Sequence, residues 1–198
     1  SDVKFPISWM YDIHIGDGTT ATTLNAPHDY KILPGASITV EKNATLTTSK
    51  SIIVYSSFTD TPFGGSVYPE KPAATFVVNG TYNVNGSFGG NIQSAQAGAK
   101  VVVGSKAGLS INSVEGNSGG TTASEAILLI GGREFVKVFD ITETARFGAG
   151  TCNETITPKT YKNTEGKTVN YNQVVRSYSG GTALAKGKTY TYNGTAWA

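Results

Sequence analysis

In the middle of the chain, apolar residues occupy every second position in short runs. Each run stops at a glycine, an asparagine or a small polar residue. Three segments can be laid over one another: GASITVEKNATLTT from Gly35, AATFVVNGTYNVN from Ala73 and GAKVVVGSKAGLSINS from Gly98. Ala36, Ile38 and Val40 of the first correspond to Ala74, Phe76 and Val78 of the second and to Ala99, Val101 and Val103 of the third. Ser37, Thr39, Thr75 and Lys100 stand between them, so the other parity tolerates polar groups. A period of two at fixed parity predicts strands with one buried face. A second strand follows in each copy, carrying Ala44 and Leu46, Tyr82 and Val84, and Ala107, Leu109 and Ile111. Stacked as rungs, the copies predict one interior column of Ile38, Phe76 and Val101 and another of Val40, Val78 and Val103.

The breaks between these strands decide the architecture. Asn79-Gly80 between two apolar strands is by itself a type I′ hairpin signal, which predicts an antiparallel β-sandwich. The other copies place Glu-Lys-Asn-Ala and Gly-Ser-Lys-Ala at the same break without changing the flanking pattern. A break that varies while the faces persist fits a corner between consecutive strands of a coil. The expected fold is all-β: a right-handed parallel β-helix, a single-stranded β-solenoid with capping strands at both ends. The antiparallel β-sandwich is the alternative.

Ala36 and Ala74 are 38 residues apart and Ala74 and Ala99 are 25 apart, so the first coil is expected to carry an excursion at residues 56–72. EAILLIGGREFVKVFDI would supply a further coil, its AILLI run being equally compatible with a short buried helix. Residues 1–150 are read as the solenoid with its N-terminal cap, and residues 151–198 as a β-rich C-terminal cap. In that cap Tyr190 and Tyr192 alternate before Asn193-Gly194, as in a closing hairpin.

Composition agrees with strands. Thr (26) and Gly (24) are the commonest residues, and Val and Ile number 29 together against 7 Leu. Branching at Cβ favours the pleated backbone. Net charge is +2, with three arginines and thirteen lysines scattered singly, so no basic stripe marks a nucleic-acid partner. The single cysteine, Cys152, has no internal disulfide partner and no neighbouring His, and is expected to be a structural residue. No stretch approaches the about 18 apolar residues of a membrane span. SDVKFPISWMYD lacks the charged start and apolar run of a secretory leader, so the chain is expected to be a mature or excised piece of a larger one.

Candidate chemistry is sparse. The fourteen acids are dispersed, without the close carboxylate pair that glycoside hydrolysis requires. YDIHIGDG and PHDY place Asp12, His14, His28 and Asp29 in a metal-like grouping. With Tyr11, Ile13 and Ile15 on the buried parity, however, Asp12 and His14 fall on the solvent face, and no metal or other cofactor is expected. The glycines of SFGGNI and LIGGRE lack the lysine and the following helix of a phosphate loop. Asn-x-Ser/Thr triplets begin at Asn43, Asn79, Asn85, Asn153 and Asn193, and are read as turn chemistry rather than glycosylation acceptors. The remaining lead is aromatic. Phe58, Phe63 and Tyr68 fall in the excursion, where rings on a loop can stack on sugar faces or fold back over the coil.

PGASITVEKNATLTT, VNGTYNVNGSFGGNIQ and AGAKVVVGSKAGLSI resemble β-helical segments of secreted or cell-wall-anchored bacterial surface proteins. KGKTYTYNGTAW is similar to their closing segments. The resemblance covers about half of the chain. It implies an extracellular scaffold or adhesion module with glycans or surface proteins of host or neighbouring cells as partners, and carries over no catalytic residue. A polysaccharide-active β-helix enzyme, lyase or hydrolase, is the alternative.

Overall fold

The computed structural model describes residues 8–9, 11–33, 35–55, 73–115, 127–130, 133–136, 138–148, 151–163 and 165–198. Every regular element among them is a strand. The first seven are β1 (Ser8–Trp9), β2 (Asp12–Ile15), β3 (Thr22–Ala26), β4 (Tyr30–Ile32), β5 (Ser37–Val40), β6 (Ala44–Thr48) and β7 (Ile52–Val54). Then come β8 (Thr75–Val78), β9 (Thr81–Val84), β10 (Phe88–Ile92), β11 (Lys100–Val103) and β12 (Ser110–Glu115). The rest are β13 (Ile127–Ile130), β14 (Arg133–Val136), β15 (Val138–Phe147), β16 (Thr151–Lys162), β17 (Thr168–Ser179), β18 (Thr182–Ala183) and β19 (Thr189–Thr191).

From β2 to β10 the chain visits three ladders in rotation. β2, β5 and β8 pair in parallel, as do β3, β6, β9 and β11, and as do β1, β4, β7, β10 and β15. Alternation along each short strand sends one parity inward, and the ladder registers stack like on like. Ile13, Ile38 and Phe76 form one column; Leu24, Leu46, Tyr82 and Val101 form a second; Tyr30, Ile52 and Phe88 form a third. Phe76, Tyr82 and Phe88 come from the three ladders of a single rung and are fully buried. Their ring centroids lie 4.9, 5.3 and 5.6 Å apart at tilted and edge-on angles, which the quadrupoles of the rings favour. The three rings thus meet in the core between the ladders.

The dipeptides at the breaks turn corners. β8 and β9 flank Asn79-Gly80 but belong to different sheets, and the same holds for β9 and β10 around Asn85-Gly86. The hairpin expectation, and with it the antiparallel sandwich, is therefore wrong for this region. Gly80 sits against the carbonyls of Glu41 and Ala44, and Gly86 against the backbone of Ser49 and Lys50, one rung below. Neither position has room for a Cβ. The third dipeptide does close a hairpin: after Asn193-Gly194 the chain returns, with Ala198 N donating to Thr191 O at 3.1 Å and Thr191 N to Ala198 O at 2.8 Å. This hairpin lays β19 antiparallel on β11, with Tyr190 opposite Val101.

The predicted parity holds in the first strand of every copy and in the second strand of the first two; in the third, Leu109 and Ile111 are only half-buried, and Ile111 packs against the separate Ile53–Tyr55 cluster. Ala36, Ile38 and Val40, Ala74, Phe76 and Val78, and Ala99, Val101 and Val103 are all buried. The predicted stacking of the third copy does not hold. Val101 stacks on Tyr82 and Val103 on Val84, in the ladder next to the one containing Phe76 and Val78. The reason is local: a single residue, Gln93, takes the place of a whole strand beside β8. Its N–H donates to Phe76 O at 2.9 Å and its carbonyl accepts from Val78 N at 2.8 Å. The next full strand therefore falls one ladder further on. Ile127–Ile130 is neither a helix nor a rung of a further coil: it pairs antiparallel with β14 in a separate two-stranded sheet. Tyr11 is 76% exposed, not on the buried parity.

Beyond β11 the pairing becomes mixed. β12 and β18 join β15 antiparallel, β17 joins it parallel, and β16 and β17 form a long antiparallel pair. Among the described residues no helix is long and apolar enough to cross a membrane.

Tyr82 carries a polar group into the core, and its hydroxyl meets Thr48 Oγ1 at 2.9 Å. Burial drives its phenol well above the usual range, partly opposed by that hydrogen bond. Burial also raises Tyr30, against a lowering backbone hydrogen bond from His28. A raised folded-state pKa contributes stability that is fully present below the unfolded value of about 10 and is lost as pH rises through the folded value. Urea melts are expected to show stability falling above about pH 10. Tyr82→Phe should flatten that fall while costing about 1 kcal/mol at neutral pH, because Thr48 loses its partner. An unchanged alkaline slope in Tyr82→Phe would place the titrating group elsewhere.

Candidate functional site

The aromatic residues singled out from the sequence, Phe58, Phe63 and Tyr68, lie outside the described residues. Tyr55 and Ala74, described residues on either side of them in sequence, are joined by a hydrogen bond from Ala74 N to the Tyr55 carbonyl at 2.9 Å.

Three members of the metal-like grouping, Asp12, His14 and Asp29, are spent on contacts between rungs. Asp12 Oδ1 accepts from Ser37 Oγ at 2.6 Å, and Asp29 Oδ1 accepts from Ser51 N at 2.8 Å. His14 Nδ1 lies 2.6 Å from Glu41 Oε1, and His28 sits edge-on to Tyr30 at 6.4 Å. Among the described residues no three His, Cys, Asp or Glu side chains are grouped to hold a metal ion. Cys152 pairs through its backbone position with Tyr178 on β17. Asn43, Asn79, Asn85 and Asn193 lie at corners and turns, whereas Asn153, also expected at a turn, lies within β16 in register with Ser177. Asn43, in the left-handed region at φ 66°, donates through Nδ2 to Gly18 O and Thr19 O at 3.2 Å each. Asn193 Oδ1 accepts from Thr195 N and Ala196 N. Asp17 does the same at its own corner: its carboxylate accepts from the backbone and hydroxyls of Thr20 and Thr19, which holds it well below the usual carboxylate range.

Two concavities stand out. One, of about 410 Å³, runs along the corner stack between Lys42, Asn79, Gln96 and Lys100. The other, of about 450 Å³, lies at the end of the stacked rungs. Its floor is the Ile92–Phe147 pair of β10 and β15, both buried. One wall is the closing hairpin, with Tyr192 and Trp197, and the other side is formed by Thr182 of β18, opposite Phe147. Trp197 stacks on Phe147 at 4.6 Å with 20° between the planes, and Tyr192 tilts against Trp197 at 5.4 Å. Gln93, Ser94 and Thr195 supply amide and hydroxyl groups at the rim. None of the described residues lining this cleft carries a charge.

Part of this cleft is visible in TYTYNGTAWA, where a hairpin about Asn193-Gly194 sets Tyr192 opposite Trp197. Phe147 comes from a distant strand, and nothing in the local pattern pairs it with Trp197. Comparison with protein-family models, curated proteins and solved structures found no match.

Proposed function

We propose that the chain is a right-handed β-solenoid module of a secreted or wall-anchored bacterial surface protein, one that displays and binds rather than catalyses. Its partners are glycans or the surface proteins of host or neighbouring cells. The observation that carries this reading is the threefold rotation of the chain through parallel ladders with like side chains stacked in register. Such an arrangement is rigid, extends by repetition and presents its corners and loops to solvent. The lateral contacts of Asp12, His14 and Asp29 fit the same purpose, since they spend titratable groups on joining rungs.

A glycan array run beside a turnover assay on pectins and host glycans tests the reading. Binding without release of cleaved product is the expected result. Cleavage would replace the display reading with that of a polysaccharide-active enzyme, and alanine at individual acids of the ladders would then locate the chemistry. Asp12→Ala and His14→Ala are expected to leave binding unchanged.

A further inference from the structure

We propose that the cleft between Phe147, Tyr192, Trp197 and Thr182 binds a pyranose ring of a neutral glycan, an assignment that rests on the binding-module reading above. Three features of the cleft point to this chemistry. Its volume, about 450 Å³, falls within the about 300–1,000 Å³ range of small-ligand sites. Its aromatic residues are of two kinds: Phe147 is buried and fixed beneath Trp197, whereas Tyr192 and Trp197 are half-buried and line the opening. Trp197, one face of which is stacked on Phe147, and Tyr192, inclined to it by 51°, offer apolar ring surface held on a hairpin at little cost in conformational entropy.

The rim supplies the complementary half. Gln93, Ser94, Thr182 and Thr195 provide uncharged donors and acceptors around the rings. A sugar presents apolar C–H groups on its faces and hydroxyls around its edge, matching rings in the middle and amides and hydroxyls outside. The uncharged lining among the described residues favours a neutral sugar over a uronic acid, whose carboxylate would be desolvated there without a counter-charge.

The platform is held in place from behind. Tyr190 meets Phe147 edge-on at 4.9 Å, and its hydroxyl accepts from Ala185 N at 2.9 Å. Gly98 N donates to Tyr192 O at 2.8 Å, and Tyr192 N to Ala99 O at 2.9 Å. The hairpin is thus tied both to β15, which carries Phe147, and to the start of β11.

The test is calorimetric titration of the full chain with neutral cello-, xylo-, manno- and N-acetylchito-oligosaccharides, with oligogalacturonate as the charged counterpart. Trp197→Ala should weaken binding of the neutral probe by about tenfold or more, as truncation of an aromatic hot-spot residue does. Because that variant also loosens the hairpin, Thr182→Glu is the second arm. Its side chain is exposed, so its melting temperature should match the wild type while the introduced carboxylate blocks the cleft. Lys186→Glu, also exposed but not in the cleft lining, should bind normally. Wild-type affinity in Thr182→Glu would overturn the assignment of this cleft while leaving the binding-module reading intact. Binding of oligogalacturonate alone, or of no neutral probe, would likewise overturn it. Cleavage of a probe, with binding still lost in Thr182→Glu, would support the cleft and sink the display reading instead.

Discussion

Val101→Asp is expected to lower stability by about 4 kcal/mol or more, whereas Lys100→Asp, one residue away, should change it by no more than about 0.5 kcal/mol. Val101 is fully buried between Tyr82 on one side and Tyr190 on the other, in register with both. A carboxylate there would be desolvated among apolar side chains, so it either ionises at high cost or stays neutral with unsatisfied hydrogen bonds. Lys100 is exposed on the opposite parity. For a chain of this size the difference corresponds to a melting shift of about 10 °C between the variants. Thermal or urea melts of the two proteins decide it. Equal losses, or a larger loss at Lys100, would mean that the strand presents its other face to the core. Tyr82→Ala should then soften the same column, because Val101 rests on its ring.

The contrast between Val101 and Lys100 shows what was legible in the sequence. Parity is local: alternation at Ala99, Val101 and Val103 fixes which side chains go inward, whichever strand lies alongside. The neighbour is not local. The third copy looks like the first two, yet it stacks beside β9 because Gln93 alone fills the position that a strand occupies in the other rungs. Nothing in the strand itself records that its predecessor has shrunk to one residue. The rung of Ile13, Leu24 and Tyr30 was similarly obscure, since Gly16-Asp17-Gly18 and Pro27-His28-Asp29 break its pattern more than the later corners do.

The candidate site follows the same division. Tyr192 and Trp197 face each other across a turn that the sequence signals by Asn193-Gly194. Their partner Phe147 and the rim residues Gln93 and Thr182 converge only through ladder registers set over long sequence separations. The metal-like cluster failed in the opposite way. Asp12, His14 and Asp29 are close in sequence, but each reaches a residue of the next rung instead of one another.

Gly80→Ala and Gly86→Ala should each cost about 3 kcal/mol, the upper end of what overpacking a well-filled site does. The sign is informative because neither glycine has a positive φ, the usual reason to need glycine. At an ordinary backbone conformation with open space, Gly→Ala stabilises by about 0.4–1 kcal/mol through the unfolded state. Here the new Cβ of Gly80 would collide with the carbonyl oxygens of Glu41 and Ala44, and that of Gly86 with the Lys50 backbone. The Glu41 carbonyl already accepts from Ala44 N at 2.9 Å, and Asn79 N and Gly80 N donate to Val40 O at 2.8 and 3.1 Å, which pins the corner to the rung beneath it, so neither side withdraws cheaply. Gly18 supplies the comparison: it has φ +77° with nothing near its missing Cβ, so Gly18→Ala should cost only about 1–2 kcal/mol of backbone strain. Urea denaturation of the three variants separates the causes. If Gly80→Ala proves neutral or stabilising, the corner does not press on the rung beneath it, and the stacked order of the ladders would have to be redrawn. A large loss at both Gly80 and Gly86 means that each Asn-Gly turns a corner because glycine is the only residue thin enough to pass there.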